Sequence, residues 1–253
     1  MTAQIPALAL AFGACTLLWL LSLRLKDVSI IDIFWGPGIA LMAWTAASTP
    51  IQPRGWLALA LVSLWGLRLG LHIFLRHKGE DHRYGAMRAK FGARWWWWCL
   101  FQVFWLQALL LWIVSWPLQA AVAALGPLNI IDAAGAALAA AGLLIEGFAD
   151  YQLTRFRADP ANAGRVMDRG LWSWSRHPNY FGDALMWWGF FLLGFAGSHA
   201  WWLLVSPVAM TILLLRVSGV SLMEETIAER RPAYADYVRR TSAFVPLPPR
   251  RPS

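Results

Sequence analysis

Residues 5–26 read "IPALALAFGACTLLWLLSLRLK". The apolar part, 5–23, carries no charge, and Arg24 and Lys26 follow it. A run of roughly 18 or more apolar residues is long enough to cross a hydrocarbon core about 30 Å thick. A cleaved signal peptide places its basic residues ahead of the apolar stretch. Here the order is reversed, so the stretch reads as a retained span.

Similar runs recur near 29–47, 56–75, 95–116, 129–149, 180–197 and 200–217. The second contains Asp32, and a short turn joins the last two. Of the 253 residues, 58% are hydrophobic, with a mean hydropathy of +0.48. That composition belongs to a membrane protein rather than a soluble domain. The expected fold is therefore all-α and polytopic, with about seven transmembrane helices. Cys15 and Cys99 both lie in spans, so no disulfide framework is implied, and no metal centre is expected. The ending "PLPPRRPS", 246–253, is rich in Pro and Arg and reads as disordered.

The formal net charge of +8 raises nucleic acid as a partner, but the distribution of charge argues for topology instead. Seven spans place Arg24, Lys26, the cations of 76–94, Arg155, Arg157, Arg165, Arg169, Arg176, Arg216 and the arginines of the tail on one side. The other side receives only Arg54, and Arg68 falls inside a span. The positive-inside rule then gives an outside N-terminus and a cytoplasmic C-terminus. No nucleic-acid partner is expected. "RWWWW", 94–98, sits where an inside loop meets a span and reads as an interfacial aromatic belt.

Three inside segments hold most of the polarity. In the first, Arg68, His72 and Arg76 recur four apart and share a helix face. A cation in a membrane helix must face a partner or a wet cavity. Arg68 is thus a site candidate or the ion-pair partner of an acid such as Asp32. "GEDHRYG", 79–85, then packs Glu80, Asp81 and Tyr84 between two glycines. Tyr84 would donate a proton, tuned by hydrogen bonding to a neighbouring acid. In the second segment, Glu146 and Asp150 lie one turn apart, with Arg155 and Arg157 close behind. Carboxylates suit ribose hydroxyls, and the arginine fork suits phosphate. A salt-bridge cluster closing the bundle is the alternative. In the third, "LWSWSRHPNYFGD", 171–183, Pro178 suits the first turn of a helix. Asn179 and Asp183 are neighbours there, and Gly182 lets a ligand or another helix approach the backbone.

"GLWSWSRHPNYFGDALMWWG", "GEDHRYGAMR" and "YADYVRRTSAFVPLPP" together resemble the bacterial steroid 5-alpha-reductase-like membrane proteins of the domain of unknown function 1295 family. The resemblance runs from about Asp27 to Pro249 and places the chain in a bacterial inner membrane. It implies a relative of the steroid 5-alpha-reductases, which bind NADPH and reduce an enone carbon–carbon double bond. The reductase pattern is met by Asp150 with Arg157, by Asn179 with Gly182 and Asp183, and by Tyr237 with Pro246. It departs at Glu146, where an Asn is expected, and near Glu224 and Ala228, where a His and a Tyr are. The same residues resemble the isoprenylcysteine carboxyl methyltransferases, which use S-adenosylmethionine. There the matching positions are Arg176, His177, Pro178, Tyr180, Gly182, Glu224, Glu225, Tyr234, Tyr237 and Pro246. The surrounding arginines fit a pyrophosphate-bearing cofactor better than a sulfonium one.

These readings lead to an expected NADPH-dependent reductase of a lipophilic steroid-, sterol- or isoprenoid-like substrate. A single embedded domain, 1–245, would divide into a substrate half, 1–116, and a cofactor half, 117–245. Tyr84, assisted by Glu80 or Asp32, would supply the proton. Asp150, Arg157, Arg176, His177, Asn179, Tyr180, Asp183, Glu224 and Tyr237 would hold the cofactor. The substrate would enter laterally from lipid between the first four helices and meet Trp35, Arg68 and His72. The competing readings are an S-adenosylmethionine-dependent methyltransferase and a non-enzymatic lipid-binding or transport protein. A transporter would keep its polar residues near the bilayer midplane, whereas these gather at one face.

Overall fold

In a hydrocarbon core with no water to bond peptide groups, a chain satisfies them within helices. A computed structural model describes residues 4–217 and 234–250. Among these, helices and turns account for the regular structure, and no strand forms. They are α1 (Gln4–Leu25), α2 (Ile30–Trp44), α3 (Pro53–Arg76), α4 (His82–Phe91), α5 (Trp95–Cys99), α6 (Leu106–Val114) and α7 (Trp116–Ala123). There follow α8 (Ile130–Ala158), α9 (Pro178–Ser198), α10 (Val205–Ile212) and α11 (Tyr234–Arg240). A wide π turn, Leu100–Trp105, links α5 to α6, and another, Leu213–Val217, extends α10.

Among the described residues, four stretches are long and apolar enough to cross a membrane: Ile5–Leu25, Pro53–Arg76, His82–Val114 and Ile130–Ala158. The apolar helix Ile30–Trp44 has 15 residues, about 22 Å at the α-helical rise. Each apolar run read from the sequence falls on helix.

The described residues form two compact units, 4–132 with 192–206, and 133–191 with 207–217 and 234–250. Helix α7 packs on α2 and α3, which carries 117–123 into the first unit.

In the first unit α2 and α3 meet through glycine. A Cβ on Gly36 would lie 2.6 Å from the Gly66 carbonyl oxygen, so only hydrogen side chains permit that approach. At its other end, Arg54 is 2% exposed. Its Nε and Nη2 donate to the two oxygens of Asp132 at 2.6 and 2.8 Å. Asn129 Oδ1 accepts from the Ile131 and Asp132 amides, while Asp132 Oδ2 accepts from the Asn129 amide at 2.8 Å. This reciprocal capping box starts α8.

In the second unit α8 and α9 are joined by a stripe of small residues. Gly135, Ala139 and Gly142 of α8 face Gly182, Met186 and Gly189 of α9. A Cβ on Gly182 would lie 2.6 Å from the Glu146 nitrogen, and one on Gly189 would lie 2.5 Å from the Ala139 nitrogen. Gly182 thus admits a helix, the second of the two roles read for it.

Helix α11 and the chain after it are tied to residues 172–176. Arg176 N donates to Ser242 O at 2.8 Å, and Ser175 Oγ to Phe244 O at 2.8 Å. Leu247 N donates to Trp174 O at 3.0 Å, and Arg250 N to Arg240 O at 2.9 Å. Residues 246–250, expected as part of a disordered tail, are therefore held in place. Their prolines remove donors, but the two remaining amides named here both find acceptors. Residues 251–253 lie outside the described residues, as does Glu224.

Candidate functional site

In the first unit the polar residues of "GEDHRYG" build outward from a helix cap. Asp81 precedes α4, and its side chain accepts from the Arg83 amide at 2.9 Å. Arg83 reaches back so that Nε bonds Asp81 Oδ1 at 2.9 Å, while Nη2 bonds Asp32 Oδ2 at 3.2 Å. One residue on, the Tyr84 hydroxyl donates to Asp32 Oδ1 at 2.8 Å. Gln107 adds a further side-chain hydrogen bond to Asp32. Tyr84 is 8% exposed, so the structure presents a buried phenol aligned on a carboxylate that a guanidinium also holds.

Burial works against the Asp81 carboxylate, but hydrogen bonds and charge from Arg83, with His82 nearby, hold its pKa below the ordinary 3.8. A depressed carboxylate stabilises the fold above its ordinary pKa, and that contribution is lost as pH falls through the folded value. The difference in thermal midpoint between wild type and Asp81→Asn should therefore be constant above pH 3.8 and shrink below it. Asparagine keeps the cap, so the comparison isolates the charge.

Glu80, expected beside Tyr84, is committed elsewhere. Arg88 grips it with Nε at 2.9 Å and Nη2 at 2.7 Å, and Glu80 Oε1 also accepts from the Val28 amide at 3.1 Å. The planar guanidinium fork matches a carboxylate in both bonds. His77 and Asp27 make a second link between the same two loops, at 2.7 Å. Of the expected substrate contacts, Trp35 is half-buried one turn after Asp32 on α2. Arg68 is half-buried on α3, and His72 Nε2 meets Arg76 Nη1 at 3.1 Å.

In the second unit a cavity of about 230 Å³ draws together residues from four segments. The end of α8 supplies Phe156 and Arg157, and the following loop supplies Asp159 and Arg165. The short turn Gly170–Ser173 and the residues between it and α9 give Trp172, Arg176 and His177, and α11 gives Tyr234 and Tyr237. Four expected cofactor residues, Arg157, Arg176, His177 and Tyr237, thus line one space. Cations and aromatic faces in so small a volume suit an anion carried on a flat group.

Two of the four also hold the walls. Arg176 Nη1 donates to Thr241 O at 2.8 Å and Val238 O at 3.2 Å, which satisfies carbonyls at the end of α11. The Tyr237 hydroxyl donates to Trp172 O. Burial pushes the pKa of that hydroxyl up, so it keeps its proton.

Of the other expected residues among those described, Asp150, Asn179, Tyr180 and Asp183 lie off the cavity lining. Asn179 Nδ2 donates to Asp150 Oδ1 at 3.1 Å. Tyr180 stacks on His177, with ring centroids 5.6 Å apart and planes 4° from parallel. Asp183 accepts from Trp187 Nε1 at 3.0 Å, one turn along α9. Tyr180 therefore backs a lining residue, and Asp183 makes this bond within its own helix.

Sequence reasoning missed the Arg54–Asp132 pair and the ion pair of Asp168 with Arg240 at 2.7 Å. The Asn129-to-Asp132 spacing was a legible helix-start signal. Nothing local marked the remote arginines as their partners.

The family described as "Protein of unknown function (DUF1295)" matches residues 18–241. An uncharacterized protein of Schizosaccharomyces pombe is 33% identical over 95 residues. That alignment covers 36% of this chain and 27% of the relative's length. No solved structure matches the chain. The chain belongs to the DUF1295 family.

Proposed function

With that family as premise, we propose that the protein is a membrane-embedded, NADPH-dependent oxidoreductase that reduces a carbon–carbon double bond in a lipophilic steroid-, sterol- or isoprenoid-like molecule. The observation that carries the reading is the meeting of Arg157, Arg165, Arg176 and His177 on one cavity with Trp172, Tyr234 and Tyr237. The volume takes part of a dinucleotide, and the donor set fits its phosphates. Arg157 and Arg165 would neutralise phosphate charge, Arg176 and Tyr237 would keep α11 in place, and Tyr180 would steady the His177 ring.

NADPH, when bound, supplies a hydride for the carbon beta to a carbonyl. The balancing proton would come from the Tyr84 hydroxyl, held by Asp32, Arg83 and Gln107. A seven-span topology with the basic loops inside would put the cavity at the cytoplasmic face of a bacterial inner membrane, within reach of soluble NADPH.

Thermal unfolding in detergent tests the cofactor. A ligand at 100 times its Kd stabilises by about 2.7 kcal/mol, a readable rise in midpoint. NADPH should give that rise, and Arg157→Ala should remove it. Stabilisation by S-adenosylmethionine and not by NADPH would replace this reading with the methyltransferase one. The stacked His177–Tyr180 pair within "RHPNYFG" is the feature that keeps that second reading in view.

A further inference from the structure

The short turn Gly170–Ser173 and the residues after it have a second face. Trp172, Arg176 and His177 look into the 230 Å³ cavity. Gly170, Leu171, Ser173, Trp174 and Pro178 instead line a separate groove of about 460 Å³, completed by Ile145, Phe148, Gln152 and Pro246.

From α8 the groove takes one stripe. Ile145, Phe148 and Gln152 are spaced three and four apart, and Arg155 is the next residue on the same face. Along it the chemistry changes from aliphatic to aromatic, to amide, to cation. The hydrocarbon core takes about 20 helical residues. Counted from Ile130, the start of α8, the apolar boundary falls close to residue 149. Ile145 and Phe148 then lie at acyl depth, with Gln152 and Arg155 at headgroup depth. Phe148 is 54% exposed and Trp174 is 47% exposed, and aromatic rings favour that boundary. Arg155 lies over the Tyr151 ring at 6.0 Å, one turn back on α8.

We propose that this groove is a binding site for an anionic glycerophospholipid of the bilayer. One acyl chain lies against Ile145, Phe148, Trp174 and Pro178, and the phosphate is at Arg155. The order of polarity along the stripe is that of the lipid from chain to headgroup. The site is independent of the cofactor reading, because it shares no lining residue with the cavity.

Native mass spectrometry of the full chain, released from detergent with equal dioleoyl phosphatidylglycerol and dioleoyl phosphatidylcholine, tests it. Phosphatidylglycerol should be retained about fivefold over phosphatidylcholine, the effect of one arginine at an anionic headgroup. Arg155→Ala should bring that ratio to about one. Ile145→Trp, which fills the groove, should remove both adducts. Unchanged retention in Ile145→Trp would show ordinary boundary lipid and overturn the site. Absence of a preference in wild type, or its persistence in Arg155→Ala, would overturn the headgroup assignment and the proposal with it. Arg155 is exposed on the helix surface, so its variant gives a readout even if Ile145→Trp fails to fold.

Discussion

Asp132→Ala should lower stability by about 3–5 kcal/mol, the usual effect of removing one partner of a buried ion pair. The reason is what stays behind. Arg54 is 2% exposed, and two of its nitrogens end on the Asp132 carboxylate. Without that carboxylate a guanidinium is left buried, with Pro127 O at 3.0 Å as its remaining bonded acceptor. The same substitution opens the capping box, a further loss of about 1 kcal/mol. Unfolding midpoints in detergent would measure it. The double variant Arg54→Met/Asp132→Leu should recover most of the loss, since well-packed apolar pairs replace buried ion pairs at little net change. The missing cap should leave a residue of destabilisation. If the single variant unfolds with the wild type, the pair contributes nothing and the burial argument fails.

Tyr84→Phe should reduce turnover by about 10²–10⁴-fold, the range for loss of a positioned general acid. Its effect on NADPH stabilisation should be absent, because Tyr84 is not among the residues of the cavity lining. The measurement is NADPH oxidation with an α,β-unsaturated steroid ketone as probe. Phenylalanine keeps the ring that Arg83 covers at 5.6 Å and removes only the hydroxyl bonded to Asp32. Asp32→Asn, which keeps the hydrogen-bonding shape, should lower the rate and shift its pH profile. A wild-type rate in Tyr84→Phe would remove the phenol from the chemistry.

The helices were legible because their signal is local. Apolar runs marked them, and Pro178 marked the start of α9 to the residue. Tyr84 with Asp32 was legible for a related reason. An acid in a span needs a donor, and a loop dense in polar groups lay at the basic face. The choice between Glu80 and Asp32 was not, because it depends on Arg88 reaching Glu80 first. Arg176 shows the same limit. Its charge suggested phosphate, while part of its guanidinium bonds carbonyls at the end of α11, more than sixty positions away. Arg54 read only as the single cation on its side of the membrane. Its partner Asp132 sits 78 residues on, and hydropathy says nothing of which helices face each other. Composition describes a face well and its neighbour poorly.

The glycine seam between α8 and α9 also bears on movement. Where two backbones touch, no side chain stands between them that could change rotamer and let one helix slide or tilt past the other. The pair should behave as one stiff rod pair, without a hinge of its own. Access to the cavity must then come from its other walls, the loop 159–167 and α11. These are held by the half-exposed Asp168–Arg240 bridge and a few carbonyl bonds, so hydrogen exchange there should be faster than along the seam.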